Sequence, residues 1–311
     1  MNPNQPTPLN SANLTHTADN LRAIWWILLS VAGSSAMAIA VRDVSTQIDS
    51  RMIVFLRSGI TTALIFLALV LFIGLRRKLR FSRPLKHLIR GMLIAVSTHL
   101  GFYAIANLPM ATVTVLFFLA PIWATALAVI FQKERIGPRR IAAIAVGFGG
   151  AMVILRPGFG AFEPAMLSAL ASSMFFALAL TMSRGLSKID GSFSTYFSSV
   201  VITAAVSLPF AWPVMALPSD TRGGFALLVL VVAGAIRGFA DIEAYRHGEA
   251  GILAPITYLR LILIATGAYF LYQEIPDLFT IIGAFIVISS TLYIAIREAR
   301  LKKPSVPVAP P

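Results

Sequence analysis

Apolar runs long enough to cross a lipid bilayer recur from one end of this chain to the other, and no other feature constrains its fold as much. A helix of about 20 residues spans the roughly 30 Å hydrocarbon core. Spans are expected at 23–41, 52–75, about 91–107, 111–131, 141–155, 164–183, 194–214, 224–245, 250–272 and 278–296. That is too many for the interior of a soluble fold. The chain is 57% hydrophobic and 13% charged, whereas a soluble domain carries about 25% charged residues. The expected fold class is therefore an all-α integral membrane protein. Cysteine is absent, which excludes a disulfide framework, thiol chemistry and most structural zinc arrangements.

The formal net charge of +13 raises the question of a nucleic-acid partner. The basic residues fall in short loops between apolar runs, whereas a nucleic-acid face would place them along a soluble helix with interleaved aromatics. Charge-driven orientation in the bilayer is the better reading, and no nucleic-acid partner is expected. The segment RRKLRFSRPLKHLIR, with Arg76, Arg77, Lys78, Arg80, Arg83, Lys86 and Arg90, is the strongest orientation signal. Ten spans place both termini on one side. Most Lys and Arg share that side, only Arg42, Arg51, Arg156 and Arg222 fall on the other, and Arg57, Arg237 and Arg260 lie within spans. Basic loops face the cytoplasm, so both termini are expected there, in a bacterial inner membrane. Residues 1–22 and 298–311 read as disordered cytoplasmic tails, rich in Pro and polar residues and lacking the pattern of a signal peptide.

Halves of the chain resemble each other. Setting Glu134 against Glu274 gives an offset of about 140 residues, and with it Ala104 faces Ala244, Leu119 faces Leu259, Ile122 faces Ile262, Ala128 faces Ala268 and Ile141 faces Ile281. Two units are expected, 23–156 and 164–297, with five helices each. Because five is odd, they insert in opposite orientations. Inverted repeats of this kind are a transporter architecture, with the substrate site near the midplane at the repeat interface.

The ends of the two halves carry a resemblance to a known family. They read AIANLPMATVTVLFFLAPIWATALAVIFQKERIGPRRIAAIAVGFGGAMVIL and EAYRHGEAGILAPITYLRLILIATGAYFLYQEIPDLFTIIGAFIVISSTLYI. Each has a small-residue turn, an apolar helix with a proline, a Glu closing it, and a Gly-containing final helix. Over about residues 23–297 the chain resembles the drug/metabolite transporter superfamily in its EamA branch. The resemblance implies a secondary transporter of a small polar or zwitterionic metabolite (amino-acid-, riboflavin- or S-adenosylmethionine-like) working by alternating access, with no cofactor and with homodimer assembly left open. The family pattern has Gly before the closing Glu, where this chain has Lys133 and Gln273.

Ionisable residues inside spans are costly and are functional candidates by default. Arg237 and Asp241, four apart, share one helix face, as a structural ion pair or as a substrate or proton site. Arg260 in TYLRLIL has no carboxylate near it in sequence, so its partner comes from another helix or from an anionic ligand; Tyr258 points to a different face. Arg57, near a span end, reads as snorkelling to the interface, and Glu243 and Arg246 as interfacial. His99 and Tyr103, with Asn107 a turn further on, form a polar stripe that lines a cavity or hydrogen-bonds a neighbouring helix, and His99 is a candidate proton site. Phe117, Phe118 and Trp123 surround Pro121, where a kinked helix would let aromatics stack on a planar solute, although core or lipid-facing packing is the commoner role for any one of them. Gly147, Gly149 and Gly150 suit close helix packing. The expected substrate-binding set is Arg260, Arg237, Asp241, His99, Tyr103, Trp123 and Phe118. No catalytic or metal site is expected: His16, His87, His99 and His247 lack the clustering that an integral membrane enzyme would need. A non-transporting receptor or scaffold is the other alternative.

Overall fold

The computed structural model describes residues 9–132, 138–156, 163–248 and 250–301. Among these residues the chain is helical throughout: α1 (Leu9–Val44), α2 (Ser50–Leu71), α3 (Ile73–Arg76), α4 (Pro84–Asn107), α5 (Met110–Phe117), α6 (Ala120–Gln132), α7 (Pro138–Leu155), α8 (Pro164–Ala211), α9 (Thr221–His247), α10 (Ala250–Thr257), α11 (Leu259–Tyr272) and α12 (Leu278–Leu301). Eight segments among them are long and apolar enough to cross a membrane, and the apolar helix Ile141–Leu155 is shorter. The chain is a multi-pass membrane protein. Glu134, from which the repeat offset was set, lies outside the described residues, as do 1–8 and 302–311 of the two expected tails.

Several boundaries differ from expectation for local reasons. Helix α1 starts at Leu9, so residues 9–22 are helical rather than tail: once a buried helix exists, extending it avoids the cost of nucleation. Helix α4 begins with Pro84 at its first turn, a position whose missing N–H is not needed, and it thereby draws Lys86, His87 and Arg90 out of the expected loop. The expected loop SRGLSKIDGS is helical up to a single interruption in α8 at Gly191, with φ 85 and ψ 157, a conformation open in practice only to glycine.

Two spans are broken, and the breaks correspond. Helix stops at Phe118 and resumes at Ala120, the residue before Pro121, whose ring opposes the carbonyl four residues earlier. The second break is at Tyr258, between α10 with its internal Pro255 and α11. Phe118 and Tyr258 differ by the same offset as the aligned halves. Their rings meet edge to face, 4.9 Å between centroids.

Small residues let the helices approach closely. A Cβ added at Gly283 of α12 would lie 2.3 Å from Ile154 and 2.9 Å from the Gly150 carbonyl of α7, and one at Gly147 would lie 2.1 Å from Ile122. Gly149 has nothing within 4 Å and faces outward. Gly283→Ala is therefore expected to destabilise by about 1–3 kcal/mol through overpacking. Gly149→Ala should be neutral or gain up to about 1 kcal/mol of helix propensity. Thermal unfolding of the two variants in detergent separates these outcomes.

Gln273 ends α11 in the left-handed region at φ 56 and ψ 27, its N–H donating to the carbonyls of Ala268 and Tyr269. This is where the resembling family carries glycine, and the geometry supplies the reason: a side chain is strained there by about 1–2 kcal/mol. Gln273→Gly should raise the unfolding midpoint by an amount equivalent to about 1 kcal/mol. An unchanged or lowered midpoint would show that the Gln273 side chain contributes something the backbone does not reveal.

Glu274, the next residue, ties three helices together. It accepts from Arg42 Nη2 at 3.0 Å and from the Met110 amide at 2.8 Å, while Arg42 also donates to the carbonyls of Ile105 and Ala106. At the same end of the bundle Arg222 pairs with Asp43 and Arg156 with Asp277, and Asp220 caps α9 through the Gly223 amide and accepts from Gln47. That amide and Gln47 hold the Asp220 carboxyl below the usual carboxylate range. Each of the four basic residues expected on this side, Arg51 with Asp49 included, is matched by an acid.

Candidate functional site

A cavity of about 140 Å³ lies where α1, α2, α4, α5, α8, α9 and α11 converge. At about 10–15 Å³ per water it has room for roughly ten. Its charged lining consists of Arg57 from α2, Arg90 from α4, Arg237 and Asp241 from α9, and Arg260 from α11. Serine and threonine side chains, Tyr196, Phe117 and Phe176 supply much of the rest.

The positions of these groups follow from the packing. Helix α9 crosses α1 at Gly33, where an added Cβ would lie 3.0 Å from the Ala233 carbonyl and 3.1 Å from the Arg237 nitrogen. That close approach sets Arg237 and Asp241 against α1, where Ser30 donates to the Asp241 carboxylate and Arg237 Nε stands 3.6 Å from its other oxygen. Gly234 leaves space for Arg57, since a Cβ there would come 2.6 Å from Arg57 Nε. Arg260 sits in the first turn of α11, directly after the break at Tyr258.

Three of the guanidinium groups rest on aromatic rings: Arg57 over Phe102 at 5.7 Å, Arg237 over Phe176 at 5.1 Å and Arg260 over Phe118 at 5.0 Å. Such contacts stabilise a desolvated cation by about 1–2 kcal/mol. Arg90 is held differently. It is 4% exposed and donates to Ser183 Oγ at 2.7 Å, to the Thr195 carbonyl at 3.0 Å and to Ser199 Oγ.

The sequence-selected residues divide. Arg260, Arg237 and Asp241 line the cavity together. Phe118 does not: it is 4% exposed and serves as the platform under Arg260, while the adjacent Phe117 faces the cavity. Trp123 also stands behind the wall. Its indole N–H donates to the lining residue Ser173 at 3.1 Å and its ring packs on Phe148. His99 hydrogen-bonds Ser207 at 2.9 Å beside Phe210, the helix-to-helix contact that was the alternative reading of the polar stripe. Tyr103 is exposed and offers only its carbonyl, to Asn107.

Arg57 and Arg90 are cavity residues that sequence reasoning missed. Arg57 was assigned to the interface and Arg90 to a basic loop, because each lies within two turns of a helix start. The apolar residues that follow Arg90 directly were the available signal. His87, expected in the same loop, is 3% exposed and bridges Asp190 at 3.0 Å and Ser198 at 2.9 Å. Glu243 is buried and pairs with Arg246 and His247 rather than facing water. Tyr258 donates to or accepts from Thr291, away from the cavity, and shares only the Phe118 contact with Arg260.

The EamA-like transporter family model matches residues 21–156 and 163–296, nearly the whole chain. An S-adenosylmethionine uptake transporter of Rickettsia felis is 32% identical over 283 residues, covering 90% of this chain and 94% of the relative. A pseudopaline exporter of Pseudomonas aeruginosa is 28% identical over 268 residues, 84% of this chain and 93% of the exporter. A riboflavin transporter of Vibrio cholerae is 25% identical over 229 residues, 73% of this chain and 77% of that protein. A solved structure titled "Crystal structure of protein" superposes with a TM-score of 0.59 at 18% identity, covering 92% of this chain and 99% of its own. That likeness concerns the fold alone.

Proposed function

The chain belongs to the EamA-like transporter family of the drug/metabolite transporter superfamily, and from that premise we propose that the central cavity is its substrate site and that transport proceeds by alternating access. The protein is a transporter of small metabolites, and its relatives are named for transport rather than for catalysis. The observation that carries the proposal is the convergence of Arg57, Arg90, Arg237, Asp241 and Arg260 on one cavity among apolar helices. Charge in a span is expensive and in transporters marks the substrate path. The solute is a polar or zwitterionic metabolite, in the range set by amino acids, riboflavin and S-adenosylmethionine.

The proposed architecture is ten spans in two inverted five-helix units, 23–156 and 164–297, in a bacterial inner membrane with both termini cytoplasmic. Counting α5 with α6 and α10 with α11 as single broken spans, and dividing α8 at Gly191, supports that number. The two family matches and the contact of Phe118 with Tyr258 at corresponding breaks support the duplication. Broken helices at the repeat interface are where such carriers bind substrate. Orientation rests on the basic loops, the few basic residues of the other side being matched by acids.

Purified protein in liposomes preloaded with unlabelled solute is expected to accumulate labelled solute from a panel of amino acids, riboflavin and S-adenosylmethionine by counterflow, whereas empty liposomes are not. Binding without counterflow for every panel member would favour a receptor. Because the sequence has no cysteine, single replacements report topology directly. Ser219→Cys should react with an impermeant thiol reagent from outside the cell and Ser82→Cys only after permeabilisation; the reverse pattern would overturn the orientation.

A further inference from the structure

Four buried hydrogen-bond donors of the cavity lining have no acceptor among the described residues. They are Arg57 Nε, Arg260 Nε, the Tyr196 hydroxyl and the Thr203 hydroxyl. Tyr196 and Thr203 are 8% and 3% exposed. Among the described residues Arg57 and Arg260 make no hydrogen bond and no ion pair within contact distance; each rests on a ring, of Phe102 and Phe118 respectively, and Asp241 acts on Arg260 only across the cavity. Arg90 is hydrogen-bonded, but to neutral oxygens alone. Asp241 is the one acid in the lining among the described residues, and Arg237 already stands against it. The other buried acids on these helices are taken, Asp190 by His87 and Glu243 by Arg246 and His247.

A site built from unused donors and surplus guanidinium groups is complementary to one class of ligand. Neutral solutes could satisfy the donors but would leave the charge uncompensated inside the membrane. A solute of net positive charge would add to it. A carboxylate or phosphate supplies acceptors and charge together, and the planar guanidinium fork matches either one through paired hydrogen bonds. We propose that the cavity takes a net-anionic organic solute, whose acidic group compensates the guanidinium charge of Arg57 and Arg260. The inference rests on the cavity being the substrate site and narrows the substrate within that reading: sulfonium solutes of net positive charge are selected against, and acidic metabolites are preferred over their neutral counterparts.

The test is thermal stabilisation of the full-length protein in detergent by matched pairs: riboflavin and riboflavin 5′-phosphate, glutamine and glutamate, adenosine and adenosine 5′-monophosphate, with S-adenosylmethionine as the cationic probe. Binding to the native state raises the apparent midpoint by mass action. The acidic member of at least one pair is expected to act at a concentration at least tenfold lower than its neutral partner. That preference should fall at least tenfold in Arg57→Gln and in Arg260→Gln. Arg260→Lys, which keeps the charge, retains most of the preference and serves where Arg260→Gln does not fold. Equal or tighter binding of the neutral members, tighter binding of S-adenosylmethionine than of every acidic member, or no shift from any acidic member overturns the proposal. Counterflow on the same samples separates it from the transport reading: anion preference without counterflow defeats transport alone, and counterflow without anion preference defeats this inference alone.

Discussion

Asp241→Asn is expected to reduce counterflow by at least about 100-fold while leaving the protein folded in detergent. The cavity holds Arg57, Arg90, Arg237 and Arg260, and Asp241 is its only carboxylate among the described residues. In the unloaded carrier that carboxylate is the resident counter-charge, fixed by Ser30 and standing 3.6 Å from Arg237. Removing one partner of a desolvated charge pair costs about 3–5 kcal/mol, because the other is left uncompensated. Falling on the reorienting state, about 3 kcal/mol is two decades in rate. The amide keeps the shape and can still accept from Ser30, so the change isolates charge from packing. Arg260→Ala should lose transport to a similar extent by a different route, because it removes a group that meets the solute. His99→Ala should leave the solute affinity within about twofold, since His99 contacts Ser207 and Phe210 away from the cavity. Normal counterflow in both Asp241→Asn and Arg260→Ala, with folding intact, would show that the site is misplaced.

Asp190→Ala is expected to lower stability by about 3–5 kcal/mol. The Asp190 side chain is fully buried. It pairs with His87 at 3.0 Å and accepts from the Ser82 amide at 3.0 Å. Directly after it the chain turns at Gly191, and Arg80 and Lys78 of the preceding basic segment are tied to Ser194 just beyond. One carboxylate therefore holds that segment, the start of α4 and the turn of α8 in register. Without it the buried His87 Nε2 loses its partner and the Ser82 amide loses its acceptor, and an unpaired buried ring nitrogen is the costly case. At about 2–4 °C per kcal/mol for a chain above 150 residues, the unfolding midpoint should drop by roughly 10 °C, and Asp190→Asn should fall between the two. A shift under about 2 °C would mean that water replaces the carboxylate and that the segment is held by its other contacts.

Much of the architecture was legible because the bilayer imposes simple rules. Apolar length located the spans, loop charge suggested their direction, and the isolated charges Arg237, Asp241 and Arg260 stood out because each interrupts an otherwise apolar helix. Arg57 and Arg90 were not legible in the same way. A basic residue within two turns of a helix start can reach water along its own stem, and a local pattern does not say whether a neighbouring helix blocks the way. Arg90 is blocked by α8, whose Ser183, Thr195 and Ser199 close over it. Phe118 and Trp123 were misplaced for a related reason. Proximity to Pro121 identified the break, but a rotation of one residue, about 100°, decides whether Phe117 or Phe118 faces the cavity, and the break itself alters that rotation.

The family pattern was informative at Gln273, where departure from glycine coincides with a left-handed backbone. It was silent on the solute.

The sequence by itself determined that this chain lives in a membrane as many helices, that its halves are related, and that charge was retained inside spans at a cost. These properties depend on composition and period, which are local. Only the tertiary structure decided which charges meet, that Asp241 stands against an excess of guanidinium groups, and that His87 and Arg90 belong to the interior. Those outcomes depend on how the faces of helices far apart in sequence are brought together, and close packing at Gly33, Gly234 and Gly283 sets that by fractions of an ångström.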